Sequence, residues 1–194
     1  MADTPKGISV SCRDHRIYVR VVGRGTFQNS QPLQQFAWEM IEQGKNEFVM
    51  DLDQCQGMDS TFLGVLAGIG LRLREIGCRS GLRVVNIASR QMELLQTLGL
   101  DRLFDVSADV QPLADDGSFR PLPDADVTQL AHPLTKDEAA DLILEAHENL
   151  IRADKRNAGK FKELIESLRE ALKQRRSRGK DKNGGAKRAQ PDRE

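Results

Sequence analysis

Two adjacent hydroxyls, Ser60 and Thr61, follow Met58-Asp59 and precede the apolar run Phe62-Leu63-Gly64-Val65-Leu66. Upstream, Phe48-Val49-Met50 reads as a buried strand. Asp51 to Gly57 reads as a polar, Gly-containing loop that delivers the hydroxyls to a helix start. Hydroxyls at a helix N-terminus are cap candidates, and they also sit where free backbone N–H groups favour negative charge. A phosphate added there is accommodated by the helix end and repelled by the Asp59 carboxylate. It changes what the surface binds without unfolding the domain, which is the chemistry of a phospho-switch. The plainer reading is that Ser60 and Thr61 only cap a helix.

Other groupings carry less. Asp51, Asp53 and Asp59 suggest a metal or acid–base cluster, but His15, His132 and His147 lie far away in sequence, so solvated loop carboxylates are expected. Gly64-x-x-x-Gly68-x-Gly70 lacks the Lys-Ser/Thr of a phosphate-binding loop and the length of a membrane span, and indicates close packing of the helix on a sheet. Cys12, Cys55 and Cys78 have no paired spacing, which argues against a disulfide framework or zinc site and fits a reducing cytosol. No catalytic residue, cofactor or metal is expected.

Charge narrows the class. The chain carries 29 basic and 29 acidic side chains, so the whole molecule has no electrostatic preference for nucleic acid or anionic membrane. Residues 105–126 hold six Asp against Arg120, whereas residues 173–194 hold nine Lys or Arg against three acids. The basic end lacks aromatic residues and reads as a solubilising tail. Met1 to Lys6 lacks the order of a secretory signal, and Phe62 to Leu71 is about half of a membrane span. A cytoplasmic protein is expected.

The elements that must position the hydroxyls follow from periodicity. Ile8, Val10 and Cys12, then Ile17, Val19 and Val21, alternate as an antiparallel hairpin that Gly23-Arg24-Gly25 breaks. Phe36, Ala37, Met40 and Ile41 mark a helix ended by Gly44. A strand at 47–52, a helix from about Thr61 to Ile76, a strand at 82–85, a helix capped by Ser89 and a strand at 103–106 follow. The order β-β-α-β-α-β-α-β predicts an α/β fold, with helices packed against one mixed β-sheet over residues 7–106. Leu63, Val65, Leu66, Val84, Leu95 and Leu98 are expected in its core. Residues 107–134, with four prolines, read as an acidic linker. Residues 135–178 read as a C-terminal helical extension, either one long helix or a hairpin jointed within the polar stretch Arg152 to Lys160, which contains Gly159, and 179–194 as a disordered basic tail. Its stripes, Leu142 to Ile151 and Phe161 to Leu172, must bury themselves. The expected outcome is a coiled-coil-like hairpin serving homodimerisation or partner docking.

Asp51-Leu52 with Met58-Asp59-Ser60-Thr61-x-Leu63-Gly64 resembles the phosphorylation motif of the STAS domain of anti-sigma-factor antagonists. Val84-Val85-Asn86 to Leu94-Leu95-x-Thr97-Leu98-Gly99-Leu100-x-x-Leu103-Phe104 is similar to the family's fourth strand, third helix and final turn. The resemblance covers about half the chain. It implies Thr61 as phospho-acceptor, with Ser60 as the alternative, and Met58, Asp59, Ser60, Phe62 and Gly64 as the partner surface. It also implies binding to a serine/threonine kinase of the anti-sigma-factor type, release on phosphorylation and resetting by a PP2C-type phosphatase. Two departures stand out. Phe62 follows the acceptor where the family usually has a small residue, and Gly23-Arg24-Gly25-Thr26 replaces Gly-Glu-Leu-Asp.

Two function classes follow. One is a signalling module of transcription control, switched by phosphorylation. The other is a non-switching adaptor subunit of a larger assembly, stressosome-like or a lipid-transport complex. An enzymatic role is weaker than both, because no nucleophile–base pair, metal spacing or cofactor loop is visible.

Overall fold

The computed structural model describes residues 6–78, 81–107, 117–122 and 134–184, with the side chains of 178–184 left aside. β1 (Gly7–Arg13) and β2 (Arg16–Gly25) form the expected hairpin, turning at Asp14, whose φ of 54° suits a short polar residue. α1 spans Phe27–Glu42, β3 Glu47–Asp51 and β4 Cys55–Met58. α2 spans Ser60–Glu75, β5 Leu82–Val85, α3 Ser89–Thr97 and β6 Asp105–Ser107. β7 (Arg120–Pro121) precedes α4 (Lys136–Ala153) and α5 (Ala158–Gly184). The sheet order is β6-β5-β3-β2-β1-β7, parallel from β6 to β2 and antiparallel across β1 and β7. It is a mixed α/β fold. The six expected core residues are all buried, alongside Ile17, Val19, Phe48 and Met50 of the central strands.

Several elements differ from expectation for local reasons. Gly23-Arg24-Gly25 does not break β2: the register shifts between Gly23 and Arg24, and the strand continues. Its far end pairs in parallel with β4, a strand too short and too glycine-containing to be told from a loop. α3 is capped by Ala88 without a side-chain bond, so Ser89 is its first helical residue rather than its cap. In the linker, Val10 pairs with Arg120 and Ser9 with Pro121, so β7 covers part of the β1 edge. There Ser118 shares a hydrogen bond with Ser11 at 2.6 Å, and the Phe119 ring lies 4.0 Å from the Arg20 guanidinium. The rest of the linker falls largely outside the described residues, as does the tail beyond Gly184. α5 itself passes the expected boundary at 178.

The C-terminal helices form a hairpin whose joint falls within the expected stretch Arg152 to Lys160, just before Gly159. Thr135 caps α4 and Glu138 reaches back to the Thr135 N–H at 2.7 Å. α4 stops at Asp154, which caps a 3-10 turn over Lys155–Asn157 by accepting from the Arg156 N–H. Buried Asn157 donates to the carbonyls of Leu98 (2.9 Å) and Leu150 (2.8 Å), tying the turn to the end of α3. Leu142, Ala146 and Leu150 are buried against α2 of the same domain, while Ile165 and Leu172 of α5 pack on α4. Much of the α4 stripe is therefore covered by the chain itself, whereas Leu164 of the α5 stripe is exposed.

Leu66→Ala and Leu95→Ala should each cost about 2–5 kcal/mol in urea denaturation, because each empties a fully enclosed site. Losses below about 0.5 kcal/mol at both would contradict the core described. The joint should also respond to acid. Side-chain and backbone hydrogen bonds from Arg156 hold the Asp154 carboxyl at about 2, below its ordinary 3.8. A depressed carboxyl contributes stability that is present above 3.8 and lost as pH falls through about 2. The Asp154 carboxyl resonance should titrate in that low range, and an ordinary titration would mean that Arg156 does not hold it.

Candidate functional site

The N-termini of α1 and α2 meet at one carboxylate. Asp59, not Ser60 or Thr61, is the cap of α2: its Oδ1 accepts from the Phe62 N–H at 2.8 Å. Its Oδ2 accepts from the Phe27 N–H, at the start of α1, also at 2.8 Å. The Asp59 N–H donates to the Gly25 carbonyl at 3.0 Å, so the end of β2 joins the same clamp. Two positive helix ends thus share one negative charge, the arrangement that helix dipoles favour. Asn29 completes the corner, accepting from the Thr26 N–H and donating to the Arg24 carbonyl.

With the cap supplied by Asp59, both hydroxyls are released from that duty. The Ser60 Oγ lies 3.0 Å from Nε2 of His147 on α4. The His147 Nδ1 is 2.7 Å from the Ile143 carbonyl, which can only accept, so Nδ1 carries a proton and Nε2 is the atom left to meet the Ser60 hydroxyl. The pair has the form of a nucleophile and base. However, His147 is only 2% exposed and its edge meets the Phe161 ring, so no room is left for a substrate. Thr61 makes no side-chain hydrogen bond among the described residues and is 7% exposed.

α4 covers the next turns of α2. A Cβ on Gly64 would stand 2.2 Å from the Ala146 carbonyl oxygen, and one on Gly68 2.6 Å from the Asn149 Nδ2. The two glycines, four apart, therefore let the helix backbones approach closely. Their packing is against α4, whereas Gly70 faces Leu103 and Phe104. At the far end Arg152 pairs with Glu75 at 2.7 Å.

The residues expected at a partner surface do not share one exposed face, since Met58 and Phe62 belong to the hydrophobic core of the domain. Met58, Thr61, Phe62 and Gly64 are buried, and Ser60 is half-buried under His147. The Phe62 ring lies where a Cβ on Gly25 would stand, 2.5 Å away at its nearest, so the bulky residue after Thr61 requires a glycine at the end of β2. The carboxylates are not a solvated trio. Asp51 is 2% exposed, accepts from the Asn86 side chain (2.8 Å) and the Asp53 N–H (3.1 Å), and lies 3.8 Å from Arg20. Asp59 is engaged as described, and only Asp53 is exposed. No cluster able to hold a metal occurs among the described residues. A cleft of about 360 Å³ lined by Arg24, Gly57, Arg90 and Gln91 touches the motif through Met58. Burial pushes the Cys55 thiol up, towards an unreactive state. His147, Ala146 and Asn149 were not foreseen as site residues. Their one sequence signal is that they sit beside Leu142 and Leu150 on the apolar stripe of α4.

Comparison with known proteins gives the following. The family model described as "Mlab, STAS domain" matches residues 8–106. Among solved structures, tm1081 of Thermotoga maritima is 17% identical, with a TM-score of 0.46 over 50% of this chain and 82% of that one. The anti-sigma factor antagonist SpoIIAA in its unphosphorylated form is 15% identical, with a TM-score of 0.43 over 46% and 82%. The Bacillus cell fate determinant SpoIIAA in its phosphorylated form is also 15% identical, with a TM-score of 0.45 over 52% and 91%. No curated protein matches.

Asp59→Ala should cost about 2–4 kcal/mol by urea denaturation, since it strips a charged acceptor from two helix ends. Asp59→Asn should recover part of the loss by keeping one acceptor oxygen. A change under about 0.5 kcal/mol in Asp59→Ala would show the clamp to be idle.

Proposed function

We propose that this chain, which belongs to the STAS domain family, is a non-enzymatic regulatory protein whose α2 N-terminal face binds a serine/threonine kinase of the anti-sigma-factor type. Phosphorylation of Thr61, or alternatively Ser60, releases it, and a PP2C-type phosphatase resets it. The observation that carries this reading is that Asp59 already caps α2, so capping does not account for the two hydroxyls behind it. A phosphate on either would stand at the positive end of a helix and next to the Asp59 carboxylate. Like-charge repulsion there acts on the group that joins α1 to α2, and so on the whole corner a partner would touch. The client would be a sigma factor or another regulator of transcription. No described helix is long and apolar enough to cross a membrane, and a cytoplasmic location is part of the proposal.

A second reading has one observation in its favour. α4 lies over Gly64 and Gly68, which suits a permanently covered, non-switching adaptor of a larger assembly, stressosome-like or a lipid-transport complex. The two readings separate by substitution. Captured partner should bind Thr61→Ala as it binds the wild type. It should bind Thr61→Glu more than about a hundredfold more weakly, a difference of about 3 kcal/mol, in titration calorimetry. Equal binding by both variants would leave the adaptor.

A further inference from the structure

We propose that α4 is an autoinhibitory cover: it occupies the α2 face from Ser60 to Gly68 in the free chain, and partner or modifying enzyme gains that face only after the α4–α5 hairpin swings away. The inference rests on the reading that this face is the partner surface.

Three observations place the cover where it matters. The His147 Nε2 and the Ser60 Oγ share a hydrogen bond at 3.0 Å, so one of the two modifiable oxygens is already engaged by the extension. Ala146 presses its carbonyl into the space above Gly64, so no second protein backbone can lie there at the same time. Arg152 on Glu75 fastens the opposite end of α2.

The chemistry of the seam favours release. The contact between sheet and α2 is aliphatic, built from Ile17, Val19, Met50, Leu63 and Leu66. The contact between α2 and α4 is aliphatic at Leu142 and Leu150 but elsewhere mixes small and polar groups: glycines against Ala146, with His147 and Asn149 nearly fully buried. Polar groups regain water when the seam opens, so opening it costs less per unit area than exposing an aliphatic core. The matched family domain ends at residue 106, and α4 lies outside it. The hairpin is therefore an addition to the family's domain.

Such a cover lowers apparent affinity in proportion to the open fraction. If roughly one molecule in a hundred is open, binding weakens about a hundredfold, and whatever holds the hairpin open restores it.

Hydrogen exchange on the full chain tests this directly. Amides of α4 and α5 should exchange together, through an opening at least about a hundredfold more frequent than the one that exposes β3 and β2. In the full chain carrying Ser60→Cys together with Cys12→Ser and Cys78→Ser, maleimide labelling mapped to position 60 should proceed at the rate of that same opening. Adding Gly64→Ala, or the milder Arg152→Glu, should speed labelling roughly tenfold or more with β3 protection unchanged. Exchange of the hairpin only at the rate of β3 would overturn the proposal, and so would labelling that neither variant accelerates. Both readouts are independent of phosphorylation. A failed Thr61 comparison with an opening hairpin sinks the switch alone, and a hairpin that opens only with the whole domain sinks the cover alone.

Discussion

The Asp59 carboxylate is the constraint on which the corner of the domain depends. One side chain accepts from the first turns of two helices, while its own N–H is bound by the end of β2. A neutral residue there would leave two donor-rich helix ends facing one another with nothing between. The position of α2 relative to α1, and hence the orientation of Ser60 and Thr61, follows from this one group. A second negative charge placed within two residues would act on this junction.

Packing extends the constraint outward. Phe62 fills the space above Gly25, so the second departure from the family pattern, the Gly23-Arg24-Gly25-Thr26 turn, accommodates the first. On the far side of the helix, Gly64 and Gly68 remove the side-chain wall that would hold another helix at the usual distance. α2 is thus bulky towards the sheet and bare towards α4. The bare side accepts a backbone at close range, and Ala146 meets it.

Much of this was legible in the sequence, and the remainder was hidden for definable reasons. Alternation revealed β1 and β2, and the apolar runs revealed β3, β5 and the core side of α2, because burial there is dictated by period. β4 escaped because four residues containing a glycine carry no period, and its pairing partner is the glycine turn that looked like a strand break. The cap of α2 was assigned to the hydroxyls because Ser, Thr and Asp are nearly equivalent as caps. Which of three adjacent candidates acts depends on where α1 begins, and that is tertiary information. The glycine pattern signals close approach without saying to what: Gly64 and Gly68 face α4, whereas Gly70 faces Leu103 and Phe104. Only the placement of α4 shows which layer approaches. His147 could not have been paired with Ser60 at all, since nothing in a single sequence links positions 87 residues apart.

The short strand at Arg120–Pro121 has a consequence for the kinetics of the hairpin. By pairing with Ser9 and Val10 it pins the chain partway between the domain and α4. The last pinned residue before α4 is therefore Leu122, whose N–H donates to the Ile8 carbonyl at 2.7 Å, rather than Ser107 at the end of β6. Bringing the two pinned points closer in sequence lowers the closure entropy by less than about 1 kcal/mol. More important, it raises the local concentration of α4 near its seat and shortens the search after each opening. A competitor would then have to bind within a brief interval or be present in large excess. The speed at which the face is hidden again is set at the far edge of the sheet, by a few residues that never touch it.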